Sequence, residues 1–386
     1  MGRSRGHPAG RGGRPRAEAS SPGALPPPGA YTGSLADAAR CGTISCMTVR
    51  KVGSSRILRE IGRGGMGVVY EAYQEGLDRR VAVKALDTRQ ARSKELLERF
   101  RREGRAYAQI RHPAVVAVHD LVEKDETLYL VTEFVDGADL RRILSGGGPL
   151  PPGCLAALGA SLADALDAVH RHALLHRDVK PANVMLSRLG EVKLMDFGIL
   201  KDPMATELTR AGAVMGTPAY VAPEVLEGEP ASERSDLWSL GVTLYEAATG
   251  GRPFLGDDFH ELFASVRKAK PKRIRDVVPG FPRRLARAIE RCLEKRPARR
   301  WETAGTLARE LERCASRLLG DARPNERLRD LLAERGLGEG KAPHAEAEAS
   351  AERPTGSPAI AARAIWAFAA VLAVAVGLYA FLGKPW

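Results

Sequence analysis

The chain runs His176-Arg177-Asp178-Val179-Lys180-Pro181-Ala182-Asn183 and, thirteen residues later, Asp196-Phe197-Gly198. Asp178 is a carboxylate suited to accept a hydroxyl proton. Asn183 offers an amide oxygen, and Asp196 a second carboxylate, as ligands for a hard cation. Transfer of a phosphoryl group from a nucleotide leaves a protein little covalent chemistry to do; positioning and charge neutralisation dominate. A proton acceptor with two metal ligands meets that need. A lone Asp-Phe-Gly arises often by chance, but both segments in this order and spacing do not.

Upstream stands Ile61-Gly62-Arg63-Gly64-Gly65-Met66-Gly67-Val68-Val69-Tyr70, a G-x-G-x-x-G-x-V pattern. In a chain with 40 glycines in 386 residues, that pattern alone is weak. Without a Cβ, backbone N–H groups can come close to phosphate oxygens. Two functional readings compete, a nucleotide-covering loop between strands and a dinucleotide loop that opens a helix. Val68 to Ala72 and Arg80 to Lys84 are rich in β-branched residues, which predicts strand-loop-strand and disfavours the helix. Lys84 ends Val81-Ala82-Val83-Lys84, the setting of a lysine that holds the α- and β-phosphates. Lys94 to Gln109 reads as a helix carrying Glu103, a glutamate expected to pair with Lys84 and fix its direction. Glu95 and Glu98 share that helix as alternatives.

With these residues in place the chain resembles the bacterial eukaryotic-like serine/threonine protein kinases, over roughly Arg56 to Ala315. The resemblance takes in Gly62, Gly64, Gly67 and Val69, then Lys84, Glu103 and the hinge-like segment Leu130 to Gly137. It continues through the catalytic segments into Gly216-Thr217-Pro218-Ala219-Tyr220-Val221-Ala222-Pro223-Glu224 and Asp236-Leu237-Trp238-Ser239-Leu240-Gly241. It implies an α+β, two-lobed protein kinase fold that binds ATP with Mg²⁺, or Mn²⁺ in its place. The loop residues 61–69, Lys84, Glu133 and Val135 would hold the nucleotide. Asp178, Lys180, Lys84 and Glu103 would form the catalytic set, with Asn183 and Asp196 on the metal. Lys180 and Thr217 point to serine and threonine acceptors, and Arg300 matches the family arginine that pairs with Glu224. The Arg177-Asp178 pair implies an activation-loop phosphate, on Thr209 first and Thr206 second. Relatives often carry two threonines one residue apart there; here the sequence runs Thr209-Arg210-Ala211.

A net charge of +12 and a hydrophobic fraction of 44% suit one two-lobed domain with accessories. Part of the charge lies outside it: residues 1–50 carry a local balance of +5 in a Gly/Pro-rich setting with few large apolar side chains. Residues 1–55 are expected to stay disordered, and Met47 marks an alternative start that would make 1–46 an over-extended translation. No nucleic-acid partner is expected. The cysteines at 41, 46, 154, 292 and 314 have neither disulfide-framework nor zinc spacing.

The periodicity predicts a small β-rich lobe to about residue 135 and a mainly helical lobe beyond it, with helices over Cys154–His172 and Ser235–Thr249. Residues 316–363 read as a flexible linker holding one short helix from Asn325 to Arg335. Ala364 to Leu382 is uncharged and, as a helix, would span about 28 Å, near the roughly 30 Å of a bilayer core. The expectation is a single-pass anchor in the cell inner (plasma) membrane, with a cytoplasmic kinase domain and a short outer tail at 383–386. Such tethering would favour a homodimer and autophosphorylation in trans. The alternative is a pseudokinase scaffold, disfavoured because Lys84, Asp178 and Asp196 are all retained.

Overall fold

The computed structural model describes residues 51–64, 67–87, 94–124, 127–198 and 218–338. The N-terminal basic segment, Gly65, Met66, Thr206, Thr209, Thr217 and the apolar segment 364–382 lie outside the described residues.

The β-branched runs build a six-stranded antiparallel sheet. Its strands are β1 (Lys51–Val52), β2 (Ser55–Gly64), β3 (Gly67–Gln74), β4 (Arg79–Asp87), β5 (Val118–Lys124) and β6 (Thr127–Glu133), in the order β1-β2-β3-β4-β6-β5. Strands β2 and β3 pair up to Gly64↔Gly67, so the glycine loop joins two strands and opens no helix. Gly67 has φ +140°, and a Cβ there would lie 1.9 Å from the Ala85 carbonyl oxygen. Only glycine fits this crossing. Register places Lys84 opposite Val69 on one side and Leu130 on the other, directly beneath the loop. Val52, Ala72, Val81, Val83, Tyr129 and Val131 form a small core on this sheet. Helix α1 (Lys94–Tyr107) packs on β5, burying Phe100 and Tyr107.

The larger lobe begins with β7 (Gly137–Asp139), α2 (Leu140–Gly147) and α3 (Pro152–Arg171). The predicted stripe on α3 is the buried one: Leu155, Leu158, Leu162, Leu166 and Val169 are fully enclosed. Strands β8 (Val184–Ser187) and β9 (Val192–Leu194) complete a three-stranded sheet, ordered β7-β8-β9. Helices α4 (Pro223–Leu226), α5 (Glu233–Thr249), α6 (Phe259–Lys268), α7 (Ile274–Val277), α8 (Arg283–Cys292), α9 (Ala304–Leu319) and α10 (Pro324–Glu334) follow. Largely apolar, α5 is buried along most of its length between Ser235 and Ala248, as a helix with apolar residues on most of its faces requires. It starts in a Ser232/Ser235 capping box and ends at Gly250, left-handed at φ 79°. Cys154, Cys292 and Cys314 are buried free thiols.

Three differences from the sequence reading stand out. Residues 51–55, expected to belong to a disordered N-terminal region, form β1 and the start of β2, because Val52 is fully buried in the core of the small sheet. The boundary expected at 315 falls inside α9. The short helix expected over Asn325–Arg335 is present as α10, but it is docked rather than carried on a free linker: it buries Leu328, Leu331 and Leu332 against the core. Among the described residues only α3 is long and apolar enough to cross a membrane, and it is largely buried inside the lobe.

Arg300 anchors the lobe's base. Its Nη1 and Nη2 each donate to Glu224 at 2.7 Å, and its remaining donors reach the carbonyls of Glu294, Arg234 and Lys295. Burial pushes the Glu224 carboxyl up, but the Arg300 fork outweighs it and holds the group below the usual carboxylate range. A depressed carboxyl contributes stability present above its unfolded value and lost as pH falls through its folded one. Arg300→Ala should therefore cost about 3–5 kcal/mol in chemical denaturation at neutral pH, since it strands a partly buried charge. The acid limb of the stability curve should flatten with it; an unchanged midpoint and limb would contradict this reading.

Candidate active site

The site is built where the turn after α3, the turn before β8 and the end of β9 converge beneath β4. Its foundation is Asp236, in the first turn of α5. The Asp236 carboxylate accepts from the backbone N–H of His176 (2.8 Å), the backbone N–H of Arg177 (2.8 Å) and His170 Nε2 (2.9 Å). These bonds pin the loop in a conformation in which Arg177 has φ 61°. His176 is fully buried. Its Nδ1 accepts from the Asp178 N–H at 3.3 Å and its Nε2 faces the Met195 carbonyl at 3.1 Å. Those partners require a neutral ring protonated on Nε2, and desolvation lowers the His176 pKa in the same sense. Met195 N–H donates to the Asn183 carbonyl and Gly198 N–H to that of His176, both at 2.9 Å, which joins the two sequence motifs.

Lys180 Nζ reaches Asp178 Oδ2 at 2.9 Å. Asn183 Nδ2 donates to the Asp178 carbonyl at 2.8 Å and to its Oδ2 at 2.9 Å. Both amide hydrogens face Asp178, so the amide oxygen, the atom a cation would use, stays outside that pair. Lys84 crosses from the small lobe to place Nζ 2.8 Å from Asp196 Oδ1. Asp196 has φ 57°, a left-handed backbone that turns its side chain toward β4.

The expected Lys84–Glu103 pair is not formed. Glu103 instead receives Arg177 Nη1 at 3.1 and 3.3 Å, while Lys84 is taken by Asp196. The physical reason is competition: two carboxylates face two cations, and α1 carries Glu103 to the catalytic loop. Arg177 Nε is buried with no hydrogen-bond partner among the described residues. Glu95 has no described side chain, and Glu98 is exposed on α1.

Glu133, at the end of β6, bonds through its backbone N–H to the Ala117 carbonyl at 2.8 Å, and Lys193 holds its carboxylate at 2.6 Å. Val135 follows in the open segment between the lobes. Ile61, Gly62, Arg63 and Gly64 lie on β2, and Val68 and Val69 on β3 over Lys84.

Tyr107 and Asp236 are the site residues that the sequence reading did not single out. Tyr107 stacks on Phe197 with centroids 3.8 Å apart, Phe197 tilts against His176 at 5.2 Å, and Tyr107 Oη donates to the Leu175 carbonyl at 2.6 Å. Burial, with Asp236 and Glu103 nearby, pushes the Tyr107 phenol well above its ordinary range. Tyr107 stands one helical turn beyond Glu103, so the helical period gives the signal that both share a face. For Asp236 the signal was the Asp236-Leu237-Trp238 stretch itself.

No cluster of three or more His, Cys, Asp or Glu side chains among the described residues could hold a metal ion unaided. Asn183 and Asp196 are oxygen donors of the kind a hard cation uses, and such a cation would need phosphate oxygens and water to complete its coordination.

The family description "Protein kinase domain" matches residues 55–311. The chain is 40% identical over 261 residues to the serine/threonine-protein kinase PknA of Mycobacterium tuberculosis, covering 66% of this chain and 60% of that protein. It is 37% identical over 259 residues to PknL of the same organism, covering 67% of this chain and 65% of that one. PrkC of Bacillus subtilis is 34% identical over 252 residues, 65% of this chain and 39% of PrkC. The match thus spans at most 65% of the length of these curated relatives. The solved kinase domain of Mycobacterium tuberculosis PknI superposes with a TM-score of 0.56 at 29% identity, over 69% of this chain and 98% of that one. With the family match covering well over half of its residues, this chain belongs to the protein kinase family.

Proposed function

We propose that this chain is an ATP-dependent serine/threonine protein kinase of bacterial signalling that phosphorylates protein hydroxyls, its own included. The observation that carries the reading is the hydrogen-bonded set Lys84–Asp196 and Asp178–Lys180–Asn183, gathered between the two lobes. Asp178 accepts the proton of the incoming Ser or Thr hydroxyl. Lys180, already on the Asp178 carboxylate, neutralises charge that builds beside it. Lys84 and the backbone of residues 61–69 hold the phosphates, and Glu133 and Val135 border the adenine. Asn183 and Asp196 hold the divalent ion, Mg²⁺ foremost, which supplies charge neutralisation at the phosphates when bound.

Arg177 links this chemistry to regulation. A phosphate on Thr209, or failing that Thr206, carries about −1.5 to −2 charges against the single charge of Glu103. It outcompetes Glu103 for Arg177, whose Nε stands ready, and Glu103 is released toward Lys84. The apolar segment 364–382 anchors the enzyme in the membrane with its kinase domain cytoplasmic, where tethered copies meet at raised effective concentration.

Asp178→Asn and Lys84→Met should each lower autophosphorylation with labelled ATP by at least about a hundredfold, in the range of losing one positioned electrostatic group. Thermal unfolding should stay close to wild type. Near wild-type turnover in either variant would refute the role assigned to that residue.

For the loop phosphate, mass spectrometry of active enzyme should find Thr209 modified, or else Thr206. Full activity in the Thr206→Ala/Thr209→Ala double variant would dispose of the exchange at Arg177. For the anchor, truncation after Pro358 should move the protein to the soluble fraction with peptide phosphorylation largely unchanged. It should also make autophosphorylation more dependent on concentration. A truncated protein still in the membrane pellet would show that 364–382 is not what holds it.

A further inference from the structure

Residues beyond the family match contact the turn between β8 and β9, which in turn meets the segment just after Glu133 to Val135. Asp136 directly follows the hinge residues Glu133 to Val135. Its carboxylate receives Arg80 Nη2 from β4 at 2.9 Å and Arg188 Nε from the turn between β8 and β9 at 2.8 Å. Arg188 also donates its backbone N–H to the Asp136 carbonyl at 2.9 Å. The same guanidinium sends Nη1 to the carbonyl of Gly338, at 2.9 Å, in the segment after α10. One side chain therefore touches the hinge and the C-terminal extension together.

The extension is built to make that contact. Gly336 has φ +66°, Gly336 N–H bonds to the Ala333 carbonyl at 3.0 Å and Leu337 N–H to the Leu332 carbonyl at 2.8 Å. This is a Schellman ending, which reverses the chain after a helix and here returns Gly338 to Arg188. At the other end of α10, Gly190 has φ +81°, and a Cβ there would lie 1.9 Å from the Asn325 carbonyl oxygen. The turn carrying Arg188 is thus pressed onto the start of α10. Arg335, just past α10, donates to the carbonyls of Ile143, Gly148 and Pro149 at 2.5, 3.1 and 2.9 Å. That closes the C-terminal end of α2, the first helix after the hinge.

We propose that α10 and residues 335–338 brace the hinge through Arg188, making Arg188 a positioning residue for the nucleotide. The proposal rests on the kinase reading above. Lobe closure is absorbed by a few hinge residues. Asp136 ties Arg80 of one lobe to Arg188 of the other, and α10 fixes Arg188, so the hinge is held near one lobe angle before nucleotide arrives. Preorganisation of this kind improves affinity by removing an ordering cost. It leaves Asp178, Lys180 and the acceptor hydroxyl untouched.

The test uses the full chain and measures Mg²⁺–ATP binding directly by calorimetry, alongside steady-state kinetics and thermal unfolding. Arg188→Gln should weaken ATP binding and raise its KM by about three- to tenfold. It should leave kcat, peptide KM and the melting temperature nearly unchanged. Arg335→Ala, remote from the hinge, should shift ATP affinity in the same direction. The two variants combined should do less than the product of their separate effects, because they act through one brace. Faster amide exchange at residues 133–137 in Arg335→Ala would support the same conclusion without relying on activity. Unchanged ATP affinity in a folded Arg188→Gln protein, or effects of the two variants that multiply fully, would overturn the brace while leaving the kinase reading intact. Failure of the wild-type chain to bind Mg²⁺–ATP would overturn both.

Discussion

The buried carboxylate of Asp236 is the constraint on which the site depends. A carboxylate taken out of water is costly unless donors surround it. Here the donors are two consecutive backbone N–H groups and His170. To present both N–H groups to one carboxylate, the chain adopts a left-handed turn at Arg177, which costs on the order of 1–2 kcal/mol for a residue with a Cβ. Charge-assisted hydrogen bonds of about 1.5–3 kcal/mol each offset that strain. Because α5 is buried along most of its length, Asp236 cannot drift, and the loop bearing Asp178 inherits the rigidity of the core. The order of cause runs from a buried helix to a fixed carboxylate, then to a strained loop and finally to a placed Asp178 side chain.

The small lobe is joined to this platform by contacts of two kinds that need not change together. The aromatic column Tyr107–Phe197–His176 is packed, so α1 already leans on the catalytic loop. The ionic partners are arranged otherwise, with Glu103 on Arg177 and Lys84 on Asp196. Tyr107 is fixed by its stacking on Phe197 and by its hydrogen bond to the Leu175 carbonyl, whereas the Glu103 carboxylate ends a side chain with several rotatable bonds. An exchange of partners at Glu103 therefore has to come from that side chain rather than from a roll of α1, which would carry Tyr107 with it.

The parts of the fold legible in the sequence were those governed by local periodicity and by backbone chemistry. Leu155 to Val169 gave α3 because burial of one helical stripe is a local pattern. The glycine loop was identifiable as strand-loop-strand because Val68, Val69, Val81 and Val83 flank it. Long-range choices were less legible. Spacing brings Lys84 and Glu103 into one neighbourhood but does not decide which carboxylate wins, since Asp196 and Arg177 arrive from segments about a hundred residues away. The packing of α10 was hidden for a related reason. A stretch rich in Arg and Glu reads as linker until its few leucines are found to join the large core, where α10 packs on α3.

The charges at the site are arranged in mutual pairs: Lys84 with Asp196, Lys180 with Asp178, Arg177 with Glu103. Partly enclosed ions are tolerated because each has a counter-ion, and such pairs roughly break even against their desolvation. A nucleotide phosphate chain arriving with a divalent cation adds anions and a cation to the same space. On the roles proposed for them, Lys84 would pass from Asp196 to phosphate as Asp196 passed from Lys84 to the metal, so the number of unpaired charges would not rise. In the same way a loop phosphate would take Arg177 from Glu103 and leave Glu103 to Lys84. Exchange of partners at nearly constant charge is cheaper than creating a new buried ion. The same set of side chains can therefore be stable without ligand and still rearrange around one.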